Sequence, residues 1–295
     1  MNTEACDPRY RELEQWPTAQ AIAAMWEGQL AAVAAIGPAV PAIAAAAEDA
    51  AMRLGRHDAG RLVYAGAGTS ARLAVLDGTE LGPTFSWPAA RVAYLPAGGM
   101  AAVTQAVEGA EDDVAAAGAA VAAARIGPVD VVVAVAASGR TPFTCAIVQA
   151  ARAMGALTIA IANSPDTPLL AGADHPLCAP TGAEVLAGST RMKAGTAQKA
   201  VLNLLSTAIM LRLGRVHRGR MVALRVANAK LAARALRLVQ DLAGLDAREA
   251  ERALALADGD VRLALLVARG LDPDGARAAL AEAEGDVGRV LRTGA

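Results

Sequence analysis

The chain has 295 residues, enough to bury a full core in one large domain or two smaller ones. A formal net charge of −1 leaves neither the basic footprint of a nucleic-acid binder nor an acidic solvating tail. Cys6, Cys145 and Cys178, with no C-x-x-C among them, and the scattered His57, His175 and His217 point to reduced thiols in a cytoplasmic protein, and away from a disulfide frame or a bound metal.

The N-terminus, MNTEACDPRYRELE, has early acidic residues and no basic n-region followed by an apolar run, so no secretory signal is expected. Residues 1–52 read as a helical segment after a polar start, with Pro17 at the first helical position. The least polar stretch, AAVAAIGPAVPAIAAAA at residues 31–47, is mostly Ala and is interrupted by Gly-Pro and Pro. A spanning helix needs about 20 strongly apolar residues, so this stretch reads as a broken soluble helix, with no membrane partner expected.

Residues 53–215 alternate short apolar runs with amphipathic stretches. RLVYAG leads into TSARLAVLDGTE, RVAYLPAGG into AAVTQAVEGAEDD, and VDVVVAVAAS into TPFTCAIVQAARAMG. ALTIAIANS leads into a loop, and HPLCAP into GAEVLAGSTRMKAGTAQKAVLNLLSTAIMLRLG. This strand–helix alternation predicts an α/β fold, a parallel sheet with helices on both faces. Glu80 and Glu111 are each expected to end a helix. From residue 216 to 295 nothing reads as a strand, and LDAREAERALALADGDV recurs as LDPDGARAALAEAEGDV after 26 residues. Two copies predict a small C-terminal all-α subdomain of ubiquitin-associated-like helix pairs. Asp246 and Asp272 are its N-caps, Pro273 stands at N1, and Leu254 and Leu280 are equivalent core residues.

Three loops carry hydroxyls. Gly66-Ala67-Gly68-Thr69-Ser70-Ala71 fits the dinucleotide fingerprint G-x-G-x-x-G/A, but the second strand ends Leu95-Pro96-Ala97-Gly98-Gly99 with no carboxylate for a ribose. A phosphate cradle suits the loops better. Thr69 and Ser70 follow the first strand, Ser138-Gly139-Arg140-Thr141 follows the third, and Ser189, Thr190 and Thr196 lie in GSTRMKAGT with Arg191 and Lys193. Small hydroxyls and backbone N–H groups at helix N-termini hold phosphates, and strand ends of a parallel sheet bring such loops to one edge.

GAGTS and AASGRT resemble the phosphate loops of the SIS (sugar isomerase) domain, with Ala136 in place of a serine in the second. TEACDPRY, GAGTSARLAVLDGTELGPTF, AVEGAEDD, AASGRTPF, EVLAGSTRMKAGTAQKAVLNLLSTAIM and ANAKLAARAL, taken together and in this order, resemble the N-acetylmuramic acid 6-phosphate etherase family. The family's D-A-S-E-C-P-P-T segment is Asp77-Gly78-Thr79-Glu80-Leu81-Gly82-Pro83-Thr84 here. The resemblance implies a lyase that removes D-lactate from C3 of a phosphorylated amino sugar without metal or redox cofactor. It implies Glu80 and Glu111 as the catalytic acid and base. It also implies a substrate site drawn from Gly68, Thr69, Ser70, Ser138, Gly139, Arg140, Thr141, Ser189 and Lys193, and a homodimer. Glu108, Asp112 and Asp113 read as solvated surface. The competing expectations are an aldose–ketose phosphosugar isomerase, a non-catalytic phosphosugar sensor and a nicotinamide dehydrogenase.

Overall fold

A computed structural model describes residues 5–105, 107–224 and 229–293. Thr3, Glu4, Ala106, Ala227 and Asn228, which belong to segments quoted above, lie outside the described residues. The chain divides into two compact units, residues 1–79 with 89–206, and residues 80–88 with 207–295.

The first unit is built on five parallel strands, β1 (Leu62–Gly66), β2 (Val92–Pro96), β3 (Val131–Ala136), β4 (Leu157–Ala162) and β5 (His175–Cys178), in the order β2-β1-β3-β4-β5. All five are the apolar runs expected from the sequence. The strands alternate with period two. Val63, Ala65, Val132, Ala134, Ala160 and Ala162 enter one core with Phe143 and Ile147. Leu62, Tyr64, Val131, Val133, Ile159 and Ile161 are buried on the other face. Burial on both faces is what a parallel sheet between helices requires.

The helices are α1 (Thr18–Ala34), α2 (Val40–Arg56), α3 (Gly68–Phe85), α4 (Val114–Ala123), α5 (Pro142–Ala153), α6 (Pro168–Gly172) and α7 (Lys193–Arg212). The run from Thr18 to Arg56 is long and apolar enough, by length and composition, to cross a membrane. A 3₁₀ turn at Gly37–Ala39 interrupts it, as Gly-Pro predicts. Helix α2 buries Ile43, Ala46, Ala47, Ala50 and Leu54 and packs on β5, where His175 Nε2 lies 2.9 Å from Asp49 Oδ2. Pro17 stands at the N-cap of α1, one position earlier than expected.

Three expectations are corrected. AAVTQAVEGAEDD does not fold as a helix in its described residues; it forms 3₁₀ turns at Met100–Val103 and Ala110–Asp112. Gly98 and Gly99, just before the stretch, and Gly109, within it, carry φ of 80°, 73° and 70°, a left-handed backbone that breaks a helix. The helix of this crossover is α4 instead, and Asp113 starts it by accepting from Ala116 N at 2.8 Å. Glu111 therefore sits in a 3₁₀ turn and does not end a helix, and Glu80 does not end α3, which runs on through Pro83 to Phe85.

Helix α3 is held to the sheet by a buried acid. Asp77 accepts from the Tyr64 hydroxyl at 2.9 Å, from Asn203 Nδ2 at 2.6 Å and from Ser206 Oγ at 3.2 Å. Burial, with the Asp77 charge beside it, pushes the Tyr64 phenol well above its ordinary value. Gly78 follows. A Cβ there would come within 2.7 Å of Tyr94 Cε1 and 2.8 Å of Tyr64 Cε2, two rings that stack at 6.2 Å. The tyrosines fill the space that the alanine of D-A-S-E would need.

The second unit contains a two-stranded hairpin, β6 (Val216–His217) and β7 (Arg220–Met221), and helices α8 (Ala229–Ala243), α9 (Ala247–Leu256), α10 (Val261–Val267), α11 (Pro273–Glu282) and α12 (Val287–Thr293). The hairpin departs from the all-α expectation. Arg218 and Gly219 at its turn have φ of 47° and 72°, the pattern of a type I′ connection, and strands of two residues leave no alternation to read. Each copy forms a helix of ten residues followed by one of seven. Asp246 caps α9 in a capping box with Glu249, and Asp272 caps α11 with Pro273 at N1. In each copy the Gly-Asp-Val then starts the next short helix through Asp260 or Asp286. Leu280 is buried, whereas Leu254 is only partly so and Ala253 takes the core place.

Gly→Ala in a helix interior ordinarily stabilises by about 1 kcal/mol. Gly78→Ala is expected to do the reverse, destabilising by about 1–3 kcal/mol through overpacking against the two rings. The midpoint of urea denaturation measures it, and an unchanged or raised midpoint would show that the tyrosines yield.

Candidate functional site

The strand order reverses direction between β1 and β3: the chain goes outward from β1 to β2 and returns to the other side of β1. Loops leaving the carboxyl ends of two such strands diverge and leave a crevice. The crevice here has a volume of about 360 Å³.

One wall is the loop after β1. Gly66 brings the chain so close to β3 that a Cβ would lie 2.8 Å from Val135 O, and Gly68 has φ of 53°. That turn places Thr69 and Ser70 in the first turn of α3 with both lining the crevice. The other wall is the loop after β3. Gly139, φ 63°, has room for no side chain, since a Cβ would come 2.6 Å from Thr167 Cβ. Its carbonyl accepts from Leu169 N at 3.1 Å. Ser138 Oγ accepts from Arg140 N at 3.2 Å, and Arg140 Nη2 donates to Asp166 O at 3.4 Å. Thr141 is the N-cap of α5, yet its side chain makes no capping bond and lines the crevice.

The N-termini of α3 and α5 thus open on one cleft with hydroxyls at its walls, and the partial positive charge of each helix end favours an anion there. Thr190 reaches the same cleft from the loop before α7. Its carbonyl accepts from Gly195 N at 2.9 Å.

Glu111 and Asp112 form the acidic side. Both stand on the exposed turn Ala110–Asp112, which packs on α5. Arg72 Nε donates to Val103 O at 3.0 Å and so ties α3 to the chain leading into that turn. The cleft therefore joins hydroxyls suited to a phosphate with a solvent-accessible carboxylate suited to moving a proton.

Of the residues expected at the site, Gly68, Thr69, Ser70, Glu111, Ser138, Arg140 and Thr141 line this cleft. Gly139 shapes the loop from beneath. Ser189 is not on the lining, and its neighbour Thr190 is. Lys193 is buried, with Nζ donating to Ala183 O at 2.8 Å. Its backbone N and that of Ala194 both donate to Glu184 at 2.9 Å, so this buried carboxylate caps α7. Glu80 is exposed on α3, ten residues beyond Ser70, and is not part of this lining. Asp112, read as surface, lines the cleft, and Asp113 is a helix cap; an acidic run does not reveal which member faces inward. Among the described residues no group of three or more His, Cys, Asp or Glu side chains is placed to hold a metal ion.

A sequence profile described as the SIS domain matches residues 101–208, and one described as the glucokinase regulatory protein N-terminal SIS domain matches residues 43–152. A protein of Deinococcus radiodurans named N-acetylmuramic acid 6-phosphate etherase is 51% identical over 267 residues, covering 90% of this chain and 87% of its own length. One of the same name from Streptomyces avermitilis is 46% identical over 271 residues, covering 92% and 86%. Among solved structures, a phosphoheptose isomerase from Francisella tularensis superposes with a TM-score of 0.51 at 19% identity, over 66% of this chain and all of the other, a likeness of fold.

Hydrogen bonds to a charged group contribute about 1.5–3 kcal/mol each. Ser138→Ala and Thr141→Val are each expected to weaken binding of inorganic phosphate by at least about tenfold. Calorimetric titration measures this, and unchanged affinity in both would remove the loop after β3 from phosphate recognition.

Proposed function

Because the chain belongs to the N-acetylmuramic acid 6-phosphate etherase family, we propose that its cleft holds the substrate phosphate while Glu80 and Glu111 eliminate D-lactate and add water, leaving N-acetylglucosamine 6-phosphate. The observation that carries this reading is the position of Glu111 on the lining of the same cleft as the hydroxyls of both phosphate loops.

An alkyl ether is a poor leaving group. The open-chain aldehyde at C1 changes that by acidifying the proton on C2. A base removes that proton, the C3–O bond breaks, and the ether oxygen leaves with a proton from an acid. Water then adds across the unsaturated aldehyde and supplies the new hydroxyl at C3. The overall change needs two proton-transfer groups, each worth roughly 10²–10⁴-fold in rate. Glu111 is assigned as the base at C2. Glu80 is assigned as the acid at the ether oxygen and then as the base for water. Ser70, Thr69, Ser138 and Thr141 hold the phosphate, with Arg140 beside them.

A homodimer completes this arrangement. Ten residues separate Ser70 from Glu80 on α3, an axial distance of about 15 Å. The short carbon chain from C6 to C3 of the sugar does not span it. A second copy therefore supplies Glu80 to the cleft in which the first copy supplies Glu111. Ile22, Trp26, Leu30 and Val33 support such pairing: they recur on one face of α1 and each is more than half exposed.

Purified protein given the substrate, with no added metal or nicotinamide, is expected to release lactate, and in heavy-oxygen water the label enters the C3 hydroxyl. Label incorporated into lactate and not into the sugar would reject elimination and hydration. Glu80→Gln and Glu111→Gln are each expected to lose at least about two orders of magnitude in kcat. Mixing the two inactive variants under conditions of subunit exchange restores turnover; mixtures that stay inactive would place both carboxylates in one chain.

A further inference from the structure

The second unit holds a groove of about 770 Å³ that the reading above does not use. Lys230, Arg234 and Arg237 line it. Their spacing of four and then three residues puts them on one face of α8, while Ala235 and Val239 enter the core of the unit. Arg220 lines the groove from β7, whose register the type I′ turn fixes, and its Nη1 lies 2.5 Å from Asp241 Oδ2. Asp241, the only acid among the described residues of the lining, is thereby neutralised. Lys230, Arg234 and Arg237 have no ion-pair or hydrogen-bond partner among the described residues. Like charges at helical spacing repel each other, and a concave site concentrates their field. An anion in the groove relieves that repulsion.

The position of the groove names the anion. Pro83 lines it, and Pro83 stands three residues beyond Glu80 on the same exposed face of α3. The groove therefore opens one helical turn from the carboxylate assigned to protonate the departing ether oxygen. The lactyl carbon attached to that oxygen itself carries a carboxylate. Of the two cations in GSTRMKAGT, Arg191 and Lys193, the second is committed to Ala183 O. We infer that Lys230, Arg234 and Arg237 bind the lactyl carboxylate of the substrate, an inference that rests on the etherase reading.

The electrostatics require such a group. Once Glu80 has given its proton to the ether oxygen it is a carboxylate beside the lactyl carboxylate, and two carboxylates repel unless cations stand between or beside them. When the C3–O bond breaks, its electron pair goes to the lactyl oxygen, which takes the proton from Glu80. The lactyl carboxylate stays charged throughout, so a groove that binds it holds the leaving group in line with the acid.

The test compares the substrate with its analogue in which the lactyl carboxylate is an amide. Wild-type enzyme is expected to prefer the free acid in kcat/KM by at least about tenfold. In Lys230→Ala/Arg234→Ala/Arg237→Ala the ratio falls towards one, while N-acetylglucosamine 6-phosphate, which has no lactyl group, binds as in wild type. Asp241→Asn, which releases Arg220, raises the ratio and keeps the test open should the triple variant fail to fold. An acid-to-amide ratio unaltered by these changes overturns the inference, as does an equal loss of affinity for the product. Failure of wild-type enzyme to release lactate from the free acid would instead reject the etherase reading itself.

Discussion

The constraint on which the site depends is the reversal of strand order between β1 and β3. In a parallel sheet every crossover returns the chain to the same edge, so every loop at that edge is a candidate wall. Only at the reversal do neighbouring loops part and leave room for a ligand. Here both loops that part run directly into helices, α3 and α5. Two sets of free backbone N–H groups and two helix dipoles therefore meet over one crevice without any cation being needed to build it. The glycines serve this geometry in different ways. Gly66 permits close approach to β3, while Gly139 accommodates a left-handed backbone against Thr167.

A second constraint keeps α3 in register with the sheet. Asp77 is a buried carboxylate whose oxygens accept from three side chains on β1 and α7. Its removal would leave those buried donors unpaired, at about 1–3 kcal/mol for each such group. Gly78 lets the helix lie against the stacked tyrosines. Together they fix the rotation of α3 about its axis. That rotation turns Ala74, Asp77 and Leu81 inward and leaves Leu76, Glu80 and Pro83 outward. The exposure of Glu80 is thus a consequence of the residues before it, and an outward carboxylate is available to a second chain.

The sequence reveals most of this where local chemistry and tertiary role coincide. Strands β1 to β4 are legible as apolar runs of five or six residues, and β5, the four residues His175–Cys178, as the short apolar run that ends the alternation. The hydroxyl loops are legible because they follow those strands directly. The repeat caps Asp246 and Asp272 are legible because capping is local. Legibility fails where a tertiary contact decides. AAVTQAVEGAEDD has helical composition, but glycines with positive φ precede it at Gly98 and Gly99 and interrupt it at Gly109. VAAAGAAVAA, the true crossover helix α4, has no polar face to mark its period. Nothing in GSTRMKAGT shows that Lys193 turns inward while Thr190 turns outward. Glu111 and Glu80 are only two acids among many until the family resemblance singles them out.

The proposed readings of the cleft and the groove assign two kinds of anion recognition to two kinds of scaffold. A phosphate at the reversal point meets N–H groups and hydroxyls fixed by the backbone, which bind without a long side chain having to be ordered. A carboxylate on a flexible lactyl arm presents a target whose position varies as the ether bond stretches and breaks. Backbone donors cannot follow such movement, but lysine and arginine side chains at successive turns of α8 can, keeping charge compensation as the group departs. The cleft, with Arg140 as the one cation among its described lining residues, and the groove with Lys230, Arg234 and Arg237 differ in this respect. Fixed dipoles suit the end of the proposed substrate that stays in place, and mobile cations suit the group that leaves.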